Sequence, residues 1–183
     1  MLKALTVIAA ALISILTVLF SSVVIAQSPD ELDYTLGSGD SIRISVYGED
    51  DLTVETQLND TGRISYPFIG ELKVKGMTVA ELQRTVVQGL KGDYLIDPKV
   101  SVSILQYRRF YINGEVTKPG GFPFQPGLTV RKAVSLAQGF TERASKSNIF
   151  IISDNDPSQR PRRVQLGTPV KPGDIITVEQ SFF

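Results

Sequence analysis

The sequence predicts an α+β fold of two small modules, residues 30–106 and 107–183. Three features carry that prediction. Short segments alternate apolar and polar residues with a period of two, the mark of half-buried strands. Glycine- and proline-rich turns punctuate them. Two stretches carry apolar residues at helical spacing, which implies helices packed on sheets.

The first strand follows Tyr34-Thr35-Leu36-Gly37-Ser38-Gly39-Asp40. Gly37 and Gly39 can take positive φ without a Cβ penalty, and Asp40 can bond the backbone beside it. Ile42, Ile44 and Val46 then alternate with Ser41, Arg43 and Ser45. The acidic run Glu49-Asp50-Asp51 reads as a solvated loop. Residues 53–58 and 63–66 alternate again around the turn Asn59-Asp60-Thr61-Gly62. Leu72 and Val74 alternate with Glu71, Lys73 and Lys75, a strand with one wet face. Thr78-Val79-Ala80-Glu81 has the form of a capping box and opens a helix over 78–90. Val79, Leu82 and Val86 line one face, and Gly89 or Gly92 ends it. After Pro98, Val100, Val102 and Ile104 form another alternating strand.

In the second module, Phe110 to Val116 reads as a strand that ends in the turn Lys118-Pro119-Gly120-Gly121. Thr129 caps a helix over 129–138, with Val130, Ala133, Val134 and Ala137 on its face. Ile149 to Ile152 reads as a buried strand. Asp154 to Arg163, polar and with two prolines, reads as a loop or hairpin tip. Lys171-Pro172-Gly173-Asp174 then leads into Ile175-Ile176-Thr177-Val178. A Gly-Asp turn feeding an apolar strand therefore opens and closes the folded region. A second echo joins the helices: Gly76-Met77-Thr78-Val79 leads to Gln88-Gly89-Leu90, and Gly127-Leu128-Thr129-Val130 leads to Gln138-Gly139-Phe140. Either duplication or the commonness of a cap–helix–glycine unit accounts for it.

The chain has 183 residues, 19 basic and 19 acidic, and no net charge. That balance argues against nucleic acid and against an anionic membrane surface as partners. Apolar residues make up 42%, enough for packed cores. Lys3 is followed by an almost wholly apolar run to Ala26, with Val24-Ile25-Ala26 ahead of Gln27. Residues 1–26 read as a secretory signal peptide. The rival is an N-terminal anchor, since the run is long enough to span a bilayer. Both put the rest of the chain outside the cytoplasm.

There is no histidine and no cysteine. Ser-His-Asp and Cys-His arrangements are thus excluded, as are disulfides and thiolate metal sites. No metal, cofactor or catalytic residue is assigned. Carboxylate-pair glycosidase chemistry survives only as a remote option around Asp40, Glu49, Asp50 and Asp51. Gly37-x-Gly39 is no phosphate loop, because it precedes a strand and opens no helix. Tyr107, Phe110, Tyr111, Phe122 and Phe124 are dense in one region, and most are expected in the core. Tyr107, Arg108, Arg109 and Lys118 are the candidates to face a glycan.

Several pieces, taken in order, resemble the bacterial polysaccharide export proteins. They are Tyr34-x-Leu36-Gly37-x-Gly39-Asp40; Gly62-Arg63-Ile64-Ser65-Tyr66-Pro67-Phe68-Ile69-Gly70; Gly76-Met77-Thr78; and Tyr94-Leu95-Ile96-Asp97-Pro98-Lys99-Val100-Ser101-Val102. Gly114-Glu115-Val116-x-Lys118-Pro119-Gly120 then resembles the start of the family's β-grasp domain of the soluble-ligand-binding type. The signature positions Tyr34, Gly37, Gly39, Asp40, Gly62, Pro67, Gly70, Gly114, Pro119, Gly120, Gly173 and Asp174 are expected to serve structural turns.

The resemblance implies a non-enzymatic component of capsule or exopolysaccharide export. Such modules stack as homo-oligomeric rings around the polysaccharide and meet an inner-membrane co-polymerase or tyrosine kinase. The rival reading is a monomeric periplasmic glycan-binding module that senses or gates export. The absent cysteine departs from the lipid-bearing pattern of many relatives. The sequence stops five residues after Val178, short of the about 20 residues a spanning helix needs. The expectation is therefore an adaptor that depends on a separate outer-membrane β-barrel channel.

Overall fold

The computed structural model describes residues 34–181. The expected signal segment, residues 1–26, lies outside the described residues. Among those described, no helix is long and apolar enough to cross a membrane.

The first module is built on β1 (Ser41–Val46), the central strand of a three-stranded antiparallel sheet. Its partners are β2 (Glu49–Gln57) and β5 (Val100–Gln106). Ile42, Ile44 and Val46 point inward, as the alternation predicts. A hairpin of β3 (Arg63–Tyr66) and β4 (Gly70–Lys73) stands beside the sheet. Helix α1 (Val79–Leu90) covers it, with Leu82, Val86 and Leu90 buried. Each such burial contributes about 1.5–3 kcal/mol. The capping box forms as read: Glu81 N–H donates to Thr78 Oγ1, and the Thr78 N–H donates to the Glu81 carboxylate at 2.8 Å.

The second module holds a mixed five-stranded sheet in the order β7-β6-β10-β8-β9. Its strands are β6 (Phe110–Gly114), β7 (Gly120–Phe122), β8 (Ala144–Ile152), β9 (Arg162–Val164) and β10 (Ile175–Gln180). β10 runs parallel to β6 and antiparallel to β8. Helix α2 (Val130–Leu136), capped by Thr129, buries Val130, Ala133 and Val134 against this sheet. Two apolar cores result, one around Ile42, Leu58 and Leu82, the other around Phe110, Ile149 and Ile176. This is the α+β fold of two modules that the strand and helix pattern predicts.

Three readings change. Glu49, Asp50 and Asp51 are exposed but not in a loop: they open β2. Gly48, at φ +82°, turns the chain back so tightly that Val46 pairs with Glu49. Charges there suit an edge strand, which must not recruit another sheet. The polar stretch after Asp154 ends two residues early, because Arg162 and Arg163 pair with Ile151 and Phe150. Tyr111 is 47% exposed, since Phe110 and Ile112 take the inward positions of β6.

Candidate functional site

The site begins with the turn Gly37-Ser38-Gly39-Asp40. Gly39 sits at φ +94°, and the Asp40 N–H donates to the Gly37 carbonyl at 3.1 Å. The carboxylate folds back over its own turn, accepting the Gly37 N–H at 2.8 Å. Asp40 has no exposed surface. A carboxylate so buried needs compensation by hydrogen bonds and opposite charge. It receives three more donors: the Tyr34 hydroxyl at 2.5 Å, the Arg108 N–H at 2.7 Å and Arg108 Nη1 at 3.1 Å.

Arg108 belongs to the short connection between β5 and β6, so this pair ties the first turn to the passage between the modules. Its Nη1 also donates to the Tyr34 hydroxyl at 2.6 Å, and its Cζ stands 5.6 Å from the Tyr34 ring centre. Burial, with Asp40 as hydrogen-bond partner and neighbouring charge, pushes the Tyr34 hydroxyl well above the usual tyrosine range. Tyr34 therefore stays a donor to Asp40. On its other side, Arg108 Nε approaches Asp154 Oδ2 at 3.0 Å, an ion-pair contact without hydrogen-bond alignment.

The second Gly-Asp turn completes the enclosure. Asp174 accepts the Lys171 N–H at 2.8 Å and the Ser153 hydroxyl at 3.1 Å. Burial raises its pKa despite those bonds. Two glycines make room for the guanidinium. A Cβ on Gly37 would lie 2.4 Å from Arg108 Nη1, and one on Gly173 would lie 2.8 Å from Arg108 Nε. Tyr107 adds an aromatic bridge, edge-on to Tyr34 at 5.0 Å and to Phe124 at 5.3 Å.

Beside this cluster lies an open cleft of about 430 Å³, with Ser38, Gln57, Lys75, Arg109 and Tyr111 among its walls. The structure thus gathers Tyr34, Gly37, Gly39, Asp40, Arg108, Gly173 and Asp174 at one seam. Of the residues expected to face a glycan, Tyr107, Arg108 and Arg109 line the cleft, Arg108 at 7% exposure with its guanidinium engaged by Asp40 and Tyr34, whereas Lys118 is exposed and outside it. The remaining signature positions serve turns elsewhere. Gly62 accepts the Val74 and Lys75 N–H groups, Pro67 and Gly70 shape the β3–β4 connection, and Gly114 lies against the Val178 carbonyl. Gly120, after Pro119, begins β7.

Sequence reasoning missed the part played by Lys75, Gln57, Tyr111 and Asp154. For Tyr111 and Arg108 the signal was available. Residues 108, 110 and 112 share one parity and 109 and 111 the other, so Phe110 inside implies Arg108 inside and Tyr111 outside.

Chemically, Asp40 cannot serve a substrate. It has no exposed surface, and its oxygens already accept from four donors. Among the described residues, no group of His, Cys, Asp or Glu is placed to hold a metal ion.

Comparison with known proteins follows the same division. Residues 28–105 match the family described as polysaccharide biosynthesis/export protein, and residues 109–162 match the SLBB domain. Arg108 falls in the short gap between the two matched regions. The exopolysaccharide production protein ExoF of Rhizobium meliloti is 35% identical over 134 residues, covering 64% of this chain and 31% of that protein. The EPS I polysaccharide export outer membrane protein EpsA of Ralstonia nicotianae is 25% identical over 181 residues, covering 80% and 47%. The polysialic acid transport protein KpsD of Escherichia coli is 32% identical over 90 residues, covering 48% and 16%. The chain spans less than half the length of each of these relatives.

Proposed function

The chain belongs to the polysaccharide export protein family, and from that premise we propose that it is a non-enzymatic, periplasmic component of capsule or exopolysaccharide export. Residues 30–106 act as the export module and 107–183 as the soluble-ligand-binding module. The two work as one body, either as a homo-oligomeric ring around the polymer or as an adaptor to an outer-membrane β-barrel channel. The inner-membrane partner is a polysaccharide co-polymerase or tyrosine kinase. The observation that carries this reading is the buried Asp40–Arg108 pair, which fastens the export module to the start of the module that follows.

A second reading has its own support. The cleft beside the seam combines an exposed tyrosine ring, amide side chains and cations, chemistry that suits sugars. On that reading the chain is a monomeric glycan-binding module that senses or gates export. Light scattering on the purified protein separates the two. Deleting the gene and measuring cell-bound against secreted polysaccharide tests both: secretion should fall and return on complementation. Unchanged secretion in the deletion strain would refute the export role.

A further inference from the structure

A second cleft, of about 650 Å³, lies between the end of the β3–β4 hairpin and α1. Its walls carry Lys73, Lys75 and Arg84 beside the single acid Glu81. Lys75 also lines the cleft at the seam, where Arg108 and Arg109 are the other cations and Asp154 is the acid. Both acids are already engaged, Glu81 by the N–H and hydroxyl of Thr78 and Asp154 by Arg108. No ion pair among the described residues involves Lys73, Lys75, Arg84 or Arg109. The neutral total of 19 basic and 19 acidic residues hides this segregation. Four cations outside any ion pair, of which only Arg84 bears on an acid, Glu81, thus line two clefts that share Lys75. Gathered like charges repel one another unless an anion joins them, and a concave wall focuses their field.

We propose that these two clefts form one track for an anionic polysaccharide, with Lys75 at its midpoint. The inference rests on the export reading and names the class of polymer. Carboxylate or other anionic substituents on successive sugars would meet Arg84, Lys73, Lys75 and Arg109 in turn. Tyr111, with one side open and the other over Gly121, offers a ring on which a sugar can stack. Ser38 and Gln57 supply donors and acceptors for hydroxyl groups. A chain of phosphates alone would use the cations and leave those groups idle.

The test is titration of the purified protein with an oligogalacturonate, a neutral malto-oligosaccharide of equal length and a single-stranded DNA oligonucleotide. Three variants accompany the wild type: Lys75→Gln, Lys73→Gln and, outside both clefts, Lys118→Gln. Gln at position 75 keeps the Cβ and Cγ that pack beside Gly62, so an unchanged melting temperature is expected. The oligogalacturonate should bind best, and its binding should weaken as salt is raised. Lys75→Gln and Lys73→Gln should each weaken it about fivefold, the scale of one exposed ion pair, and Lys118→Gln should leave it unchanged. Equal binding of the two sugars, preferential binding of the DNA, no binding at all, or equal losses in all three variants would overturn the inference. Secretion lost in the deletion strain beside any of those results would leave the export role standing without the anionic track.

Discussion

The two Gly-Asp turns have the same backbone but different partners. In each, a carboxylate accepts the N–H three residues back, the aspartate N–H bonds the carbonyl of that residue, and glycine takes positive φ. Each feeds the middle strand of its local sheet, β1 between β2 and β5, β10 between β6 and β8. Each follows a residue bonded to the segment just before the cap of its helix: Leu36 bonds Met77 and Gly76, ahead of Thr78, and Val170 bonds Leu128, ahead of Thr129. The order is permuted. In the first module the turn precedes the helix, and in the second it follows. The difference lies in what the carboxylate meets. Asp40 meets a guanidinium and a tyrosine hydroxyl, whereas Asp174 meets the serine hydroxyl of Ser153. The same local device is therefore a joint between modules in one place and a turn support in the other.

The largest effect should come from Asp40→Asn. Removing one charge of a buried pair costs about 3–5 kcal/mol, and Arg108 would keep only the half-exposed Asp154 as a counter-charge. Asp174→Asn removes a charge that burial already disfavours, and it should cost about 1 kcal/mol, the scale of one hydrogen bond. Urea denaturation of both variants measures the contrast, and equal losses would erase the distinction drawn between the turns.

The glycines should separate next. Gly39→Ala suffers chiefly the left-handed backbone, about 1–2 kcal/mol, since its nearest contact would be Arg108 Cβ at 3.4 Å. Gly173→Ala should cost more than that, because its Cβ would also meet Arg108 Nε and Asp154 at 2.8 Å. Thermal melts of the pair give the order, and a milder Gly173→Ala would show that the guanidinium has room to move.

The smallest effects are in pH. Tyr34 is raised, so its contribution is fully present below the unfolded tyrosine value, about pH 10, and is lost as pH climbs beyond it. Asp174 is also raised. The folded protein keeps that proton to higher pH than the unfolded chain does, so its contribution is greatest below about pH 3.9 and fades as pH rises. Stability measured against pH should thus show an alkaline fall that Tyr34→Phe flattens, and an acid-side advantage over Asp174→Asn that shrinks with rising pH. Curves of identical shape in wild type and variants would refute these assignments.

Much of this was legible locally. Alternation placed Ile42, Ile44 and Val46 inside, Thr78 and Glu81 announced their cap, and Gly39 and Asp40 announced their turn. Those features depend on residues a few positions apart. Arg108 and Asp40 stand 68 residues apart, and no short-range pattern names a partner at that distance. Strand parity could have turned Arg108 inward, but its partner is a product of how the modules meet. The clefts were hidden for the same reason: Lys75 and Arg109 belong to different modules.

The measurement that bears most directly on the joint is a double-mutant cycle of Asp40→Asn and Arg108→Met, read by urea denaturation. If the pair fastens the modules, the two single changes share one loss. The double variant should then be more stable than the sum of the singles implies, with a coupling of about 2–3 kcal/mol, at the upper end for residues in direct contact. A coupling near zero, with the two losses simply adding, would contradict it.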